Sequence, residues 1–254
     1  MIIKDAQAVS IATASGPMRT HIFRPVAPGR YPAILFYSEI YQVTGPIRRM
    51  AAMLAGHGYL VAAPEIYHEF EIAGTALAYD TAGTARGNDL KTTKTLASYD
   101  SDASAAIDFL KSSPHCSGRI GAAGICIGGH LAFRAALNPE VSAAACWYAT
   151  DLPEHSLGLG KNDDTLARAA EIRGEMLMIF GRQDPHVPRE GRAIIYDAMS
   201  RANLNFTWHE FNAAHAFMRD EGPRYDPAAA RICYELALEM FHRKLGESDG
   251  RTQA

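Results

Sequence analysis

Between the apolar run Ile120–Ile125 and the helical run His130–Leu137, the chain carries Gly124-Ile125-Cys126-Ile127-Gly128-Gly129. The first run has the composition of a buried strand. The glycines therefore mark a strand-to-helix turn so tight that Cβ atoms two residues either side of Cys126 would clash. This is the spacing of a nucleophile elbow, G-x-Nuc-x-G, with cysteine where serine usually stands. A side chain at such a turn lies at a helix N-terminus, where the dipole and free N–H groups favour a thiolate. Two other readings apply to an isolated motif of this kind, a simply buried cysteine or a phosphate-binding turn. Phosphate fits less well, because no Lys-Ser/Thr follows the glycines and no G-x-G-x-x-G follows the first strand.

The rest of the chain supplies the setting that an elbow needs. Ala8–Thr13 and Met18–Phe23 predict a leading antiparallel hairpin. Strands are then expected at Ala33–Tyr37, Tyr59–Ala63, Ser142–Ala149, Met176–Phe180 and Asn205–Phe211. Helices are expected at Ile47–Ala55, Ser101–Lys111, Arg189–Ser200 and Pro227–Leu245, the last with proline in its first turn. Such alternation implies a mostly parallel sheet with helices on both faces, binding ligands outside the carboxyl ends of its strands. Residues 65–90 break the regularity, mixing Tyr67, His68, Phe70, Tyr79 and Arg86 with Gly and Thr. A connection this long after a strand end reads either as a plain surface excursion or as a segment that covers the substrate.

Composition excludes several function classes. No linker, charge run or repeat divides the 254 residues, so one domain over 1–254 is expected. A net charge of −3 gives no footprint for nucleic acid or an anionic membrane. The N-terminus lacks a signal peptide's basic region and apolar core, and no apolar run is long enough to span a bilayer. Four widely spaced cysteines without C-x-x-C read as free thiols. A cytoplasmic enzyme is expected, monomeric or homodimeric, with no cofactor and no metal site.

Two residues downstream complete a chemical unit with Cys126. Asp184 follows the strand Met176–Phe180 and is fixed by Pro185, so it can hold a histidine in one tautomer. Alone it could equally be an Asx-turn or a cap. His215 lies on a loop of small residues after the last strand, Phe211-Asn-Ala-Ala-His215-Ala-Phe-Met-Arg219. Nucleophile, acid and histidine in this order, each after a strand, is the α/β-hydrolase arrangement. The other histidines compete poorly: His186 follows Asp184 too closely to be oriented by it, His130 is on the elbow helix, and His57 is on a helix-ending turn.

With these pieces and Ser38-Glu39-Ile40 after the first central strand, the chain resembles the dienelactone hydrolase family from about residue 30 to 245. The resemblance implies an α/β-hydrolase fold and a Cys126-Asp184-His215 triad acting on a small-molecule lactone or ester. It implies that Glu39 contacts the cysteine in the resting state and controls its ionisation. It also implies carboxylate-binding arginines, at Arg219 and, in the excursion, at Arg86. By position, the backbone N–H groups of Ile127 and Ile40 would hold the oxyanion. Three alternatives are weighed: a broad-specificity carboxylesterase with an apolar pocket of Tyr67, Phe70 and Tyr79; a non-catalytic ligand-binding protein on a hydrolase scaffold; and a thiol-redox protein using Cys146.

Overall fold

Eight strands form one sheet in a computed structural model that describes residues 1–4 and 6–246. The hairpin β1 (Gln7–Thr13) and β2 (Gly16–Phe23) is antiparallel, and β2 also runs antiparallel to β4 (Leu60–Pro64). From β4 onward the sheet is parallel: β3 (Tyr31–Tyr37), β5 (Cys116–Ile125), β6 (Val141–Trp147), β7 (Glu175–Gly181) and β8 (Phe206–Phe211). The spatial order is β1-β2-β4-β3-β5-β6-β7-β8. Every residue of β4 and β7 is buried, which is why these strands read as continuous apolar runs without alternation.

Helices cover both faces. Helices α1 (Gly45–Gly56) and α6 (Pro227–Leu245) bury Ile47, Leu54, Met240 and Phe241 with Ile34 and Phe36 of β3. On the other face α3 (Leu96–Ser112), α4 (Ile127–Ala135) and α5 (Arg189–Arg201) bury Ile107, Leu110, Leu131 and Ile195 with Leu35. Alternate residues of β3 thus enter opposite cores, each large side chain contributing about 1.5–3 kcal/mol of burial. No helix among the described residues is long and apolar enough to cross a membrane.

Three expectations are corrected here. The excursion 65–90 contains most of a helix, α2 (Thr81–Thr93), capped by Asp80, whose Oδ1 accepts from Gly83 N at 2.7 Å. It carries no hydrophobic periodicity because two of its three buried residues are glycines, Gly83 and Gly87. A Cβ on Gly87 would lie 2.5 Å from the Ile40 carbonyl oxygen, so the helix packs by its backbone. Helix α3 starts at Leu96, five residues before Ser101, because Thr95 caps it by accepting from Ser98 N. Helix α4 starts immediately after Cys126.

Candidate active site

Four parallel strands deliver four side chains to one end of the sheet. Glu39 lies two residues beyond β3, Cys126 directly after β5, Asp184 three beyond β7 and His215 four beyond β8. The elbow is held by main-chain contact. A Cβ on Gly124 would stand 2.1 Å from Gly128 O, and one on Gly128 would stand 2.4 Å from both Ser38 O and Tyr37 O. Cys126 itself adopts φ 58° and ψ −126°, a conformation that costs a non-glycine residue on the order of 1–3 kcal/mol. Its N–H donates to Trp147 O at 3.1 Å, tying the elbow to β6. The thiol is half-buried, while Cys116, Cys146 and Cys233 are buried.

Asp184 Oδ2 lies 2.6 Å from His215 Nδ1, and Asp184 Oδ1 accepts from His186 N at 2.8 Å. Nδ1 is thereby fixed as the protonated nitrogen facing the carboxylate, leaving Nε2 for the cysteine. Two rings brace the imidazole edge-on, Tyr148 at 5.1 Å and His186 at 4.6 Å between centroids. Burial alone would push His215 down. Negative charge on Cys126 and the bond to Asp184 outweigh burial and raise His215 to about 10. The ring of His215 is therefore held in its protonated form.

Glu39 is buried, and burial pushes its carboxyl up despite the neighbouring Arg219. Its Oε1 lies 3.6 Å from Arg219 Nη1, too far for a hydrogen bond, and is left without a hydrogen-bond partner. Among the described residues no hydrogen bond joins Glu39 to Cys126. Ile40 and Ile127 both approach the elbow, Ile40 in the cavity wall and Ile127 at the first position of α4. Neither N–H has a backbone partner among the described residues.

A cavity of about 240 Å³ opens over these groups. Glu39, Ile40, Cys126, His215 and Arg219 line it, together with Thr84, Asn88 and Lys91 of α2. Those three positions, spaced by four and three residues, form one helical face that lines the cavity. Arg86 is a correction. Its guanidinium bonds Glu71 Oε1 at 2.7 Å and Asp89 Oδ2 at 3.0 Å, and it does not line the cavity. Two residues after Thr84, it lies about 200° around the helix from the cavity face. The aromatic pocket does not form either. Tyr67 is fully buried with its hydroxyl on Gly87 O, Phe70 is exposed, and Tyr79 stacks on Arg219 and bonds Thr44.

The cavity also gathers residues that the sequence did not single out. Asp151 holds Lys91 Nζ at 2.6 Å, and Glu154, Ser156 and Arg224 join the wall from loops after β6 and β8. Only the helical spacing of Thr84, Asn88 and Lys91 could have signalled any of them. Elsewhere, His68, Glu69 and Asp102 lie close enough to suggest a cation site. Lys94 already fills that role, with its ammonium bonded to Glu69 and, at 2.8 Å, to Asp102.

Comparisons with known proteins give a consistent result. A sequence model described as "Dienelactone hydrolase family" matches residues 18–245. A Saccharomyces cerevisiae protein named "Putative carboxymethylenebutenolidase" is 44% identical over 239 residues, covering 90% of this chain and 87% of its own. The "Carboxymethylenebutenolidase" of Pseudomonas sp. (strain P51) is 27% identical over 235 residues, covering 91% of this chain and 92% of its own. Among solved structures, a "Putative Dienelactone Hydrolase" from Klebsiella pneumoniae superposes with a TM-score of 0.82 at 23% identity, over 96% of this chain and all of its own.

Proposed function

The chain belongs to the dienelactone hydrolase family, and from that premise we propose that it cleaves lactones or carboxylic esters through an acyl-thioester on Cys126. That it is a hydrolase of esters or lactones follows from the family; the triad and its steps are the proposal. The observation that carries it is the 2.6 Å bond from His215 to Asp184, which leaves Nε2 free beside a half-buried thiol on a strained elbow.

The Cys126 thiolate attacks the carbonyl carbon, and the C=O electron pair moves onto oxygen, toward the free N–H groups of Ile127 and Ile40. Collapse of the adduct expels the alkoxide or enolate, which takes a proton from His215 Nε2. His215 then accepts a proton from water as the water attacks the acyl-thioester. Hydrolysis returns the thiolate and releases the acid. Asp184 holds the ring's tautomer and stabilises its charged form throughout. A thiolate is itself readily expelled, so the site suits the good leaving groups of aryl esters and enol-lactones better than the amine of a peptide. Glu39, close to this pair and to Arg219, modulates the charge around the sulfur.

The rival readings fare worse. An apolar esterase pocket lacks its aromatic lining, since Tyr67, Phe70 and Tyr79 do not line the cavity. A binding protein would not need an intact and mutually bonded acid–histidine pair. For redox chemistry, Cys146 is a poor resolving thiol, because burial pushes it far up. The deciding experiment compares wild type and Cys126→Ala on an aryl ester and a dienelactone. The variant is expected to lose turnover on both, and full retained activity would sink the mechanism. Cys126→Ser should keep the fold and lose most of the rate.

A further inference from the structure

The peptide that presents the Ile127 N–H is held from outside the elbow. A trans peptide is planar, so whatever fixes the Cys126 carbonyl also aims the N–H of Ile127. Within α4 that carbonyl accepts from Gly129 N and His130 N; from the loop after β6 it accepts from Thr150 N at 3.3 Å. Thr150 is fixed in turn by its other polar atoms. Its carbonyl lies 3.0 Å from Nδ1 of the buried His130, and its hydroxyl donates to Asp151 Oδ2 at 2.5 Å. Asp151 stands at φ 67°, a left-handed conformation that aspartate tolerates better than most residues. Its buried carboxylate also accepts from Ser156 Oγ at 3.1 Å and from Lys91 Nζ at 2.6 Å. Lys91 is on α2, one turn beyond Gly87, whose backbone rests on Ile40. A continuous chain of bonds thus runs from the elbow to the helix that backs the other free N–H.

We propose that Asp151 is a positioning residue for the hydrolytic reaction: its ion pair with Lys91 straps the elbow to α2 and fixes the spacing between the Ile40 and Ile127 N–H groups. This rests on the hydrolase reading and deepens it by naming what sets the geometry of the two oxyanion donors. The helix is the fixed end of the strap. Gly158 N donates to Lys91 O at 3.2 Å and Leu159 N to Lys94 O at 2.8 Å, so α2 stays docked without the charge pair. The loop that carries Thr150 is what the pair pins. Lys91 makes no other ion pair among the described residues, and neutral hydroxyls are the remaining side-chain partners of the Asp151 carboxylate. The pair's side chains are only 16% and 9% exposed, so salt screens it less than a surface pair. Both N–H groups must reach one developing oxyanion. A small shift of one against the other therefore weakens binding of the transition state and leaves binding of the substrate nearly intact.

The test uses p-nitrophenyl butyrate, a neutral ester that offers no anion to Lys91. Asp151→Asn keeps the shape of the side chain, its acceptor for Thr150 and its tolerance of the left-handed backbone, and removes the charge. Its kcat is expected to fall about tenfold or more while KM stays within about twofold. Lys91→Met should match it, Lys91→Arg should restore part of the rate, and the double variant should fall no further than the singles. An unchanged kcat overturns the proposal. So does a loss in Lys91→Met that Asp151→Asn lacks, which would mean that the ammonium acts by itself, or losses that multiply in the double variant. If Asp151→Asn does not fold, Lys91→Met against Lys91→Arg decides alone. Hydrogen exchange of the Thr150 amide, read by NMR, needs no turnover. It should quicken about fivefold or more in Lys91→Met, and an unchanged rate rejects the strap. If wild type hydrolyses no ester, the hydrolase reading fails, and the amide exchange still decides whether the pair pins Thr150.

Discussion

His215 is the residue on which the proposed chemistry turns, and its charge state also enters the stability of the fold. Its proton is held more tightly in the folded protein, at about 10 against an ordinary value of 6.5. The protonated ring therefore stabilises the fold fully below pH 6.5, and this contribution is lost as pH rises toward about 10. Charge on Cys126 is the largest cause that raises His215, so Cys126→Ala should lose less stability across that window. Thermal melts of both proteins as a function of pH check this. Asp184→Asn should leave the fold intact and lower kcat by on the order of 10⁴, as loss of the tautomer-setting acid does in the serine triad. Steady-state kinetics read this, and a loss of less than tenfold would remove Asp184 from its role.

At the scale of the element, α2 is where the site meets the remainder of the fold. Its backbone rests on Ile40 through Gly87, and its cavity face carries Thr84, Asn88 and Lys91. Gly87→Ala has to displace either the helix or the loop that presents Ile40 N–H. A stability loss of about 1–3 kcal/mol is expected, with kcat falling more than KM rises. Urea unfolding and kinetics on one aryl ester separate these effects. Just past the helix, Lys94 is fully buried and bonded to Glu69 and Asp102, with His68 also on Asp102 at 2.9 Å. Lys94→Met would take this cation from the buried carboxylate of Asp102 and should cost about 3–5 kcal/mol, measured as the shift in urea midpoint. A smaller loss would mean that His68 alone can compensate Asp102.

At the scale of the whole molecule, several carboxylates tie distant segments together and share one pH response. Burial opposes the ionisation of Asp102, Asp151 and Asp163, yet His68 and Lys94, Lys91, and His130 respectively hold them below the usual carboxylate range. Arg243 does the same for Glu175. Their stabilisation is present above about pH 4, the ordinary carboxylate value, and is lost as pH falls through the lowered values. Glu39 is raised and runs in the opposite sense. The protein should therefore unfold at progressively lower urea as pH drops below about 4, a trend that unfolding curves at stepped pH would detect. The sequence by itself determined the elbow at Cys126, the chain order of Asp184 and His215, and the alternating strands and helices. Each of these rests on local chemistry: glycines where a Cβ would meet backbone, apolar runs in strands buried on both faces, and loops directly after strand ends. Only the tertiary structure decided what surrounds the thiol. Helix α2 has glycines where a pattern of apolar residues would have announced it, so its phase, which turns Lys91 inward and Arg86 outward, could not be read. Glu39, Asp151 and Arg224 come from loops after three different strands. Which of their charges pair is set by distances that no stretch of sequence contains.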